Sequence, residues 1–300
     1  MRVAITGSSG LIGSAIVERL CVDGHEVVRV VRHRVSANRL EIAWDPLGEV
    51  IDTDLLAGVN AVIHLAGEPI DGYWWSKEKR QRIRDSRVLG TTNLVNALVT
   101  MKRKPEVLIS VTGISYYGDR GDECLSEKSR AGSGFLSEIA ADWEAATRPA
   151  EEAGIRVVIP RLAPVLSACP PFVMRLRLPV MLGLGAWFGS GRQYWPWIAL
   201  EDVVGVFRFA LSEKRVRGPV IAAAPHVPAC RTLIKTMGRV LGRPVLWGVP
   251  EPVLRLLLGD LARDMLLSSQ RVYPHALLTA GYGFTCPDLE TTLRDALGKR

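Results

Sequence analysis

The chain has 300 residues, 48% of them hydrophobic and 23% charged, which excludes a wholly disordered chain and predicts a folded soluble protein of one large domain, or one domain with an appendage, with a sizeable core. It holds no run of about 18 apolar residues and opens on MRVAIT without signal-peptide layout, so we expect a cytoplasmic protein with no membrane partner. The net charge of +7 suits anionic ligands, while the 5 cysteines and 5 histidines are scattered without ligand spacing, so no metal site is expected.

Along the chain, VAIT (3–6), a glycine turn, LIGSAIVERLCVDG and HEVVRVV give strand, helix and strand, one βαβ unit. Apolar strands follow at 60–66, 106–112 and 156–162, separated by helical stretches at 76–101 and 135–153. This alternation predicts an α/β fold built on a doubly wound parallel Rossmann sheet. The basic stretch KEKRQRIRDSR (77–87) is broken by Glu78 and Asp85 and lacks interleaved aromatics, so it reads as a solvated helix face and no nucleic acid partner is expected. Beyond residue 165 the pattern loosens into a Pro-, Gly- and Trp-rich segment, then returns to a helix from Glu201 and a strand at 218–224. The last 70 or so residues read as a smaller, mainly helical substrate-side segment, with the leucine stripe of PEPVLRLLLGDLARDMLL expected in the core. We therefore divide the chain into a cofactor-binding domain at 1–225, with 170–199 as a cleft-forming insertion, and a C-terminal domain at 226–300.

TGSSGLIG places Gly7, Gly10 and Gly13 directly after a strand and at the start of a helix, with Ser8, Ser9, Leu11 and Ile12 between them. The first glycine permits the tight turn, the second lets backbone approach a pyrophosphate, and the third lets helix and strand pack closely. The end of the second strand tells the two dinucleotides apart. A carboxylate there would bond the ribose of NAD, but the chain offers Arg32, His33 and Arg34, so NADP(H) is the expected cofactor, with Arg32 on the 2′-phosphate.

TGSSGLIG, HLAGEPI, SYYGDRGDE, FGSGRQYWPWIALEDV and the closing YGFTCPDLETTLRDAL together resemble the atypical, extended short-chain dehydrogenase/reductase group. More narrowly, they resemble its "epimerase family" proteins with a C-terminal domain of unknown function. The resemblance spans essentially the whole chain. It implies an NADP(H)-binding fold, a reductase or epimerase activity on an unassigned small carbonyl or hydroxyl compound, and His64, Leu65, Ala66 and Gly67 beside the cofactor.

Such reductases use a Tyr-x-x-x-Lys pair on a helix, in which lysine lowers the tyrosine pKa from about 10 and the phenol passes the proton. With the usual glutamate of that pattern on Glu144, the pair falls on Leu136 and Ala140, neither of which can transfer one. YWWSK (73–77) has the spacing but stands at a helix entrance, where Ser76 reads as an N-cap. Thr112 and Tyr117, in the loop after the fifth strand, are the candidates for polarising a carbonyl, or else are hydroxyls satisfied by backbone. FGSGRQ (188–193) offers Ser190 and Arg192 to an anionic substrate, or is a surface turn. Two readings remain open: an oxidoreductase or epimerase with an atypical site, and a non-catalytic NADP(H)-binding sensor. Substrate, reaction direction and oligomeric state are not legible.

Overall fold

The computed structural model describes residues 1–32, 40–48, 51, 53–70, 75–168 and 171–299, the side chains of 171–175 excepted. Arg2–Thr6 (β1), Leu11–Val22 (α1) and Glu26–Val31 (β2) form the expected βαβ unit. Glu41–Ala43 (β3), Ala61–His64 (β4), Lys77–Thr100 (α2), Val107–Ser110 (β5), Phe135–Ala145 (α3) and Arg156–Leu162 (β6) follow. Leu200–Ser212 (α4) and Gly218–Ala222 (β7) complete the layer structure. The sheet runs β3-β2-β1-β4-β5-β6-β7 with every pairing parallel, and Thr112–Gly113 adds a short rung beside β6. β4 and β5 are buried along their whole length, as strands covered by helices on both faces must be. The strand order reverses between β1 and β4, and there a crevice opens at the carboxyl ends of the strands.

Local chemistry sets the helix boundaries. Ser76 caps α2 by accepting from the Lys79 amide at 3.2 Å, as its position predicts. The stretch expected as one helix at 135–153 divides after Ala145 and resumes at Arg148–Glu152, where Pro149 is tolerated because the first turn needs no amide donor.

In the C-terminal part, Cys230–Leu241 (α5), Glu251–Leu258 (α6) and Leu289–Ala296 (α7) are the main helices. Their buried Leu233, Ile234, Met237 and Leu293 share a core with Trp195 and Trp197, so the tryptophan-rich segment packs with the end of the chain. The leucine stripe departs from expectation. Gly259, at φ 53°, ends α6, the chain resumes as a π-helical turn at Ala262–Leu266, and Leu254 is buried while Leu256 stays 78% and Leu257 58% exposed. Buried Asp202 and half-buried Glu127 tie this part to the sheet. Asp202 accepts from Thr285 N, Thr285 Oγ1 and Cys286 N at 2.7, 2.8 and 3.0 Å. Glu127 Oε1 accepts from Ile221 N and Ala276 N, both at 3.1 Å. Among the described residues no helix is long and apolar enough to cross a membrane.

Candidate functional site

The β1–α1 turn has the geometry of an anion cradle. Gly7 has φ 67°, and a Cβ on it would lie 2.9 Å from the Leu65 carbonyl carbon; on Gly13 it would lie 2.2 Å from the Gly7 oxygen. Only glycine fits at these two positions. On Gly10 a Cβ meets nothing nearer than the Gly7 oxygen at 3.4 Å, so its missing side chain serves space outside the turn rather than packing within it. Ser8 is buried, Ser9 and Gly10 are exposed, and Leu11 and Ile12 are half-buried. α1 has neither a side-chain cap nor an acidic residue in its first turn, which leaves its amides and dipole free for a phosphate. Residues 7–13 therefore fit a dinucleotide pyrophosphate.

His64 holds the neighbouring wall. Thr6 Oγ1 accepts from the Leu65 and Ala66 amides at 3.1 and 3.2 Å and spends its one hydrogen on His64 Nδ1 at 2.7 Å. The imidazole hydrogen then sits on Nε2, 3.0 Å from Thr91 Oγ1. Complete burial pushes the His64 pKa down to about 4, so the ring is neutral. His64 therefore braces the strand end from inside, while the Leu65 and Ala66 backbone packs against Gly7 and Leu65 and Gly67 line the crevice. Arg32 is exposed immediately after β2. His33 and Arg34 lie outside the described residues.

A cavity of about 490 Å³ continues from this crevice, with Ile12, Leu65 and Gly67 in its wall. Leu136, Ile139, Ala140 and Trp143 of α3 also line it, spaced as one helical stripe. The positions sought for tyrosine and lysine thus do face the site, and they present hydrocarbon. Trp195, Trp197 and Met265 continue the apolar lining, with Tyr194, Asp264, Ser268 and Gln270 among its polar members. The indole Nε1 atoms of Trp143 and Trp197 are buried without a hydrogen-bond partner among the described residues.

Thr112 and Tyr117 separate. Thr112 is on the cavity wall, and its hydroxyl donates to Glu144 Oε1 at 3.0 Å. Tyr117 is not on that wall. The 3-10 turn Ile114–Tyr117 drives its ring into the core, where it is 0% exposed and donates to the Ser126 carbonyl at 3.0 Å. Burial pushes its pKa up to about 12, against the pull of Arg161, so we correct the expectation that it polarises a substrate carbonyl. Behind Thr112 stands a buried ion pair. Arg161 donates from Nε to Glu144 Oε1 and from Nη2 to Oε2, both at 2.8 Å, and from Nη1 to the Tyr117 hydroxyl at 2.8 Å. The guanidinium lies 3.6 Å from the Tyr116 ring centroid.

Ser190 and Arg192 are exposed and absent from the cavity wall; Ser190 Oγ accepts from the Arg192 amide at 3.2 Å. FGSGRQ is thus the surface turn, with buried Gln193 anchoring it to the Phe188 and Leu266 carbonyls at 3.0 and 2.9 Å. Sequence reasoning missed Arg87, which lines the cavity from α2. One signal for it existed: Arg87 is four residues from each of Ile83 and Thr91, both buried, so helical spacing puts it on the inward stripe of its basic run.

Comparison with known proteins agrees with this geometry. Residues 3–222 match the model of the NAD dependent epimerase/dehydratase family, and residues 249–296 match a domain of unknown function, DUF1731. The chain is 39% identical over 296 residues to epimerase family protein Mb2239 of Mycobacterium bovis, covering 99% of this chain and 96% of that protein. It is 34% identical over 301 residues to epimerase family protein SDR39U1 of Mus musculus, covering 99% and 100%. The crystal structure of human SDR39U1 with NADPH superposes with a TM-score of 0.89 at 31% identity over 99% of each chain. The nucleoside-diphosphate sugar epimerase structure from Corynebacterium glutamicum gives 0.82 at 32% identity, covering 99% of this chain and 58% of that one. The glycine cradle, the strand order and these likenesses agree: the chain belongs to the NAD dependent epimerase/dehydratase family.

Proposed function

We propose that the protein is an NADP(H)-dependent oxidoreductase acting on a small, mainly apolar hydroxyl or carbonyl compound. The observation that carries this reading is the continuity of the two spaces: Ile12, Leu65 and Gly67, which frame the dinucleotide cradle, also line the apolar cavity. Residues 7–13 would hold the pyrophosphate and Arg32 the 2′-phosphate, in keeping with the NADPH in the human SDR39U1 crystal structure. When bound, the nicotinamide exchanges hydride with the substrate.

The chain's own part is to exclude water and move a proton. Thr112 has already given its hydrogen to Glu144, so its oxygen is an acceptor on the cavity side. A substrate hydroxyl donating to Thr112 Oγ1 would complete a chain that ends on Glu144 Oε1, with Arg161 fixing the carboxylate. The proposed proton route would thus end on α3 itself, one turn beyond Ala140, while Leu136 and Ala140 serve only as wall. Ser115, also on the wall, is a second hydroxyl within the same loop.

Two measurements test the reading. Arg32→Asp is expected to weaken NADPH about 10- to 100-fold while leaving NADH little changed, through loss of a charge-assisted phosphate contact. Equal NADPH and NADH affinities in the wild type would sink the cofactor assignment. Across a panel of alcohols and carbonyls, Thr112→Val is expected to lower turnover about 100-fold at unchanged NADPH affinity, with Thr112→Ser close to wild type. The hydrocarbon at Leu136 and Ala140 favours the second reading, a non-catalytic NADP(H)-binding sensor. Tight NADPH binding with no turnover on any member of the panel would establish that one instead.

A further inference from the structure

We infer that Arg87 is the substrate-recognising cation of this cavity and that the natural substrate is a carboxylate with an apolar body. The inference rests on the proposed oxidoreductase reading and adds the chemical class of its substrate. Three side chains with full charge line the cavity: Glu68, Arg87 and Asp264. Glu68 is neutralised by Lys79 at 2.9 Å and Arg82 at 3.6 Å, and Asp264 by Arg263 at 2.8 Å. Arg87 differs. Among the described residues no carboxylate lies within ion-pair distance of it, and its bonds are from Nη1 to the Glu68 and Ile83 carbonyls, at 2.9 and 3.2 Å.

The guanidinium is nevertheless held in place. Its Cζ is 5.2 Å from the centroid of the Trp143 ring, and it lies over Gly67, where a Cβ would come within 3.4 Å of Cζ. Burial works against its charge and pushes its pKa down to about 10, in spite of the Glu68 charge that pulls the other way. A cation kept half-buried, stacked and without a carboxylate partner among the described residues is a fork awaiting an oxyanion. The remaining lining is mostly hydrocarbon and indole, which has little to offer the hydroxyls of a sugar but accommodates an alkyl or aryl body. The anionic end of the substrate thus binds on α2 and not at the surface turn that carries Arg192.

The test compares benzoate, phenylacetate and hexanoate with their uncharged amides, by calorimetry on NADP+-loaded protein. Carboxylates are expected to bind at least about tenfold tighter than the amides, the size of a charge-assisted contact. Arg87→Met should erase this preference while leaving the NADPH dissociation constant within about twofold of wild type, and Arg87→Lys should keep part of it. Equal affinities of acids and amides in the wild type, or no binding of any of the acids, overturn the inference without needing a variant. It is also overturned if Arg87→Met weakens NADPH by more than about tenfold, since the guanidinium then serves the cofactor's phosphates. Failure of the wild type to bind NADPH would instead sink the oxidoreductase reading, and the acid-over-amide preference in unloaded protein would still report on Arg87.

Discussion

Glu144→Ala is expected to be among the most damaging single substitutions in the molecule, costing about 3–5 kcal/mol in urea unfolding. Among the described residues Glu144 is the only carboxylate paired with Arg161, whose side chain is 2% exposed. Removing it leaves a guanidinium in the core with only the Tyr117 hydroxyl, the Glu127 carbonyl and the Tyr116 ring for company. Water cannot replace the lost oxygens at that depth, so the desolvation cost appears in full. The double variant Glu144→Leu with Arg161→Met removes both charges and should recover much of the loss, because a buried pair contributes little net of its desolvation. A single variant within about 1 kcal/mol of wild type would show that the pair is hydrated in solution, and the Thr112 relay would lose its fixed terminus.

The second large effect is a pH dependence. His64 is neutral in the folded protein, with its pKa lowered from an ordinary 6.5 to about 4 by burial. Above pH 6.5 the ring is neutral in both folded and unfolded chains and contributes no dependence. As pH falls from there toward 4, only the unfolded chain takes up the proton, and stability drops by up to about 3 kcal/mol, at about 1.4 kcal/mol per unit. Below pH 4 both states are protonated and the contribution is flat. Carboxylates titrate in the same range, so the measurement is the difference between wild type and His64→Gln in unfolding free energy across this window. Parallel curves for the two proteins would mean that His64 does not carry the effect. Because Thr6 and the Leu65 and Ala66 amides share the network, we expect NADPH affinity to fall over the same window.

What was legible in the sequence was what local periodicity and turn chemistry encode. The glycine turn, the strand runs and the Ser76 cap each depend on residues within a few positions of one another, and each takes its expected place. Leu136 and Ala140 were readable as an absence, and the helical stripe then puts that absence on the cavity wall. Arg87 was hidden by its neighbours. A run of Lys and Arg reads as solvated throughout, although one of its members shares the stripe of Ile83 and Thr91. Tyr117 and Thr112 stand in the same loop, and only the 3-10 turn decides which of them faces the cavity. The Glu144–Arg161 pair joins two elements 17 residues apart in sequence, for which no spacing rule exists. The exposed Leu256 and Leu257 mark the opposite failure, a stripe with helical period whose helix ends at Gly259 before it can be buried.

The π-helical turn at Ala262–Leu266 has a consequence for biosynthesis. All seven strands and the glycine cradle are present once Ala222 has been made, whereas Asp264, Met265, Ser268 and Gln270 complete the cavity wall from the last part of the chain. A nascent chain that has reached Ala222 therefore holds the dinucleotide cradle and most of the cavity wall, and only the side closed by the last part of the chain is still missing.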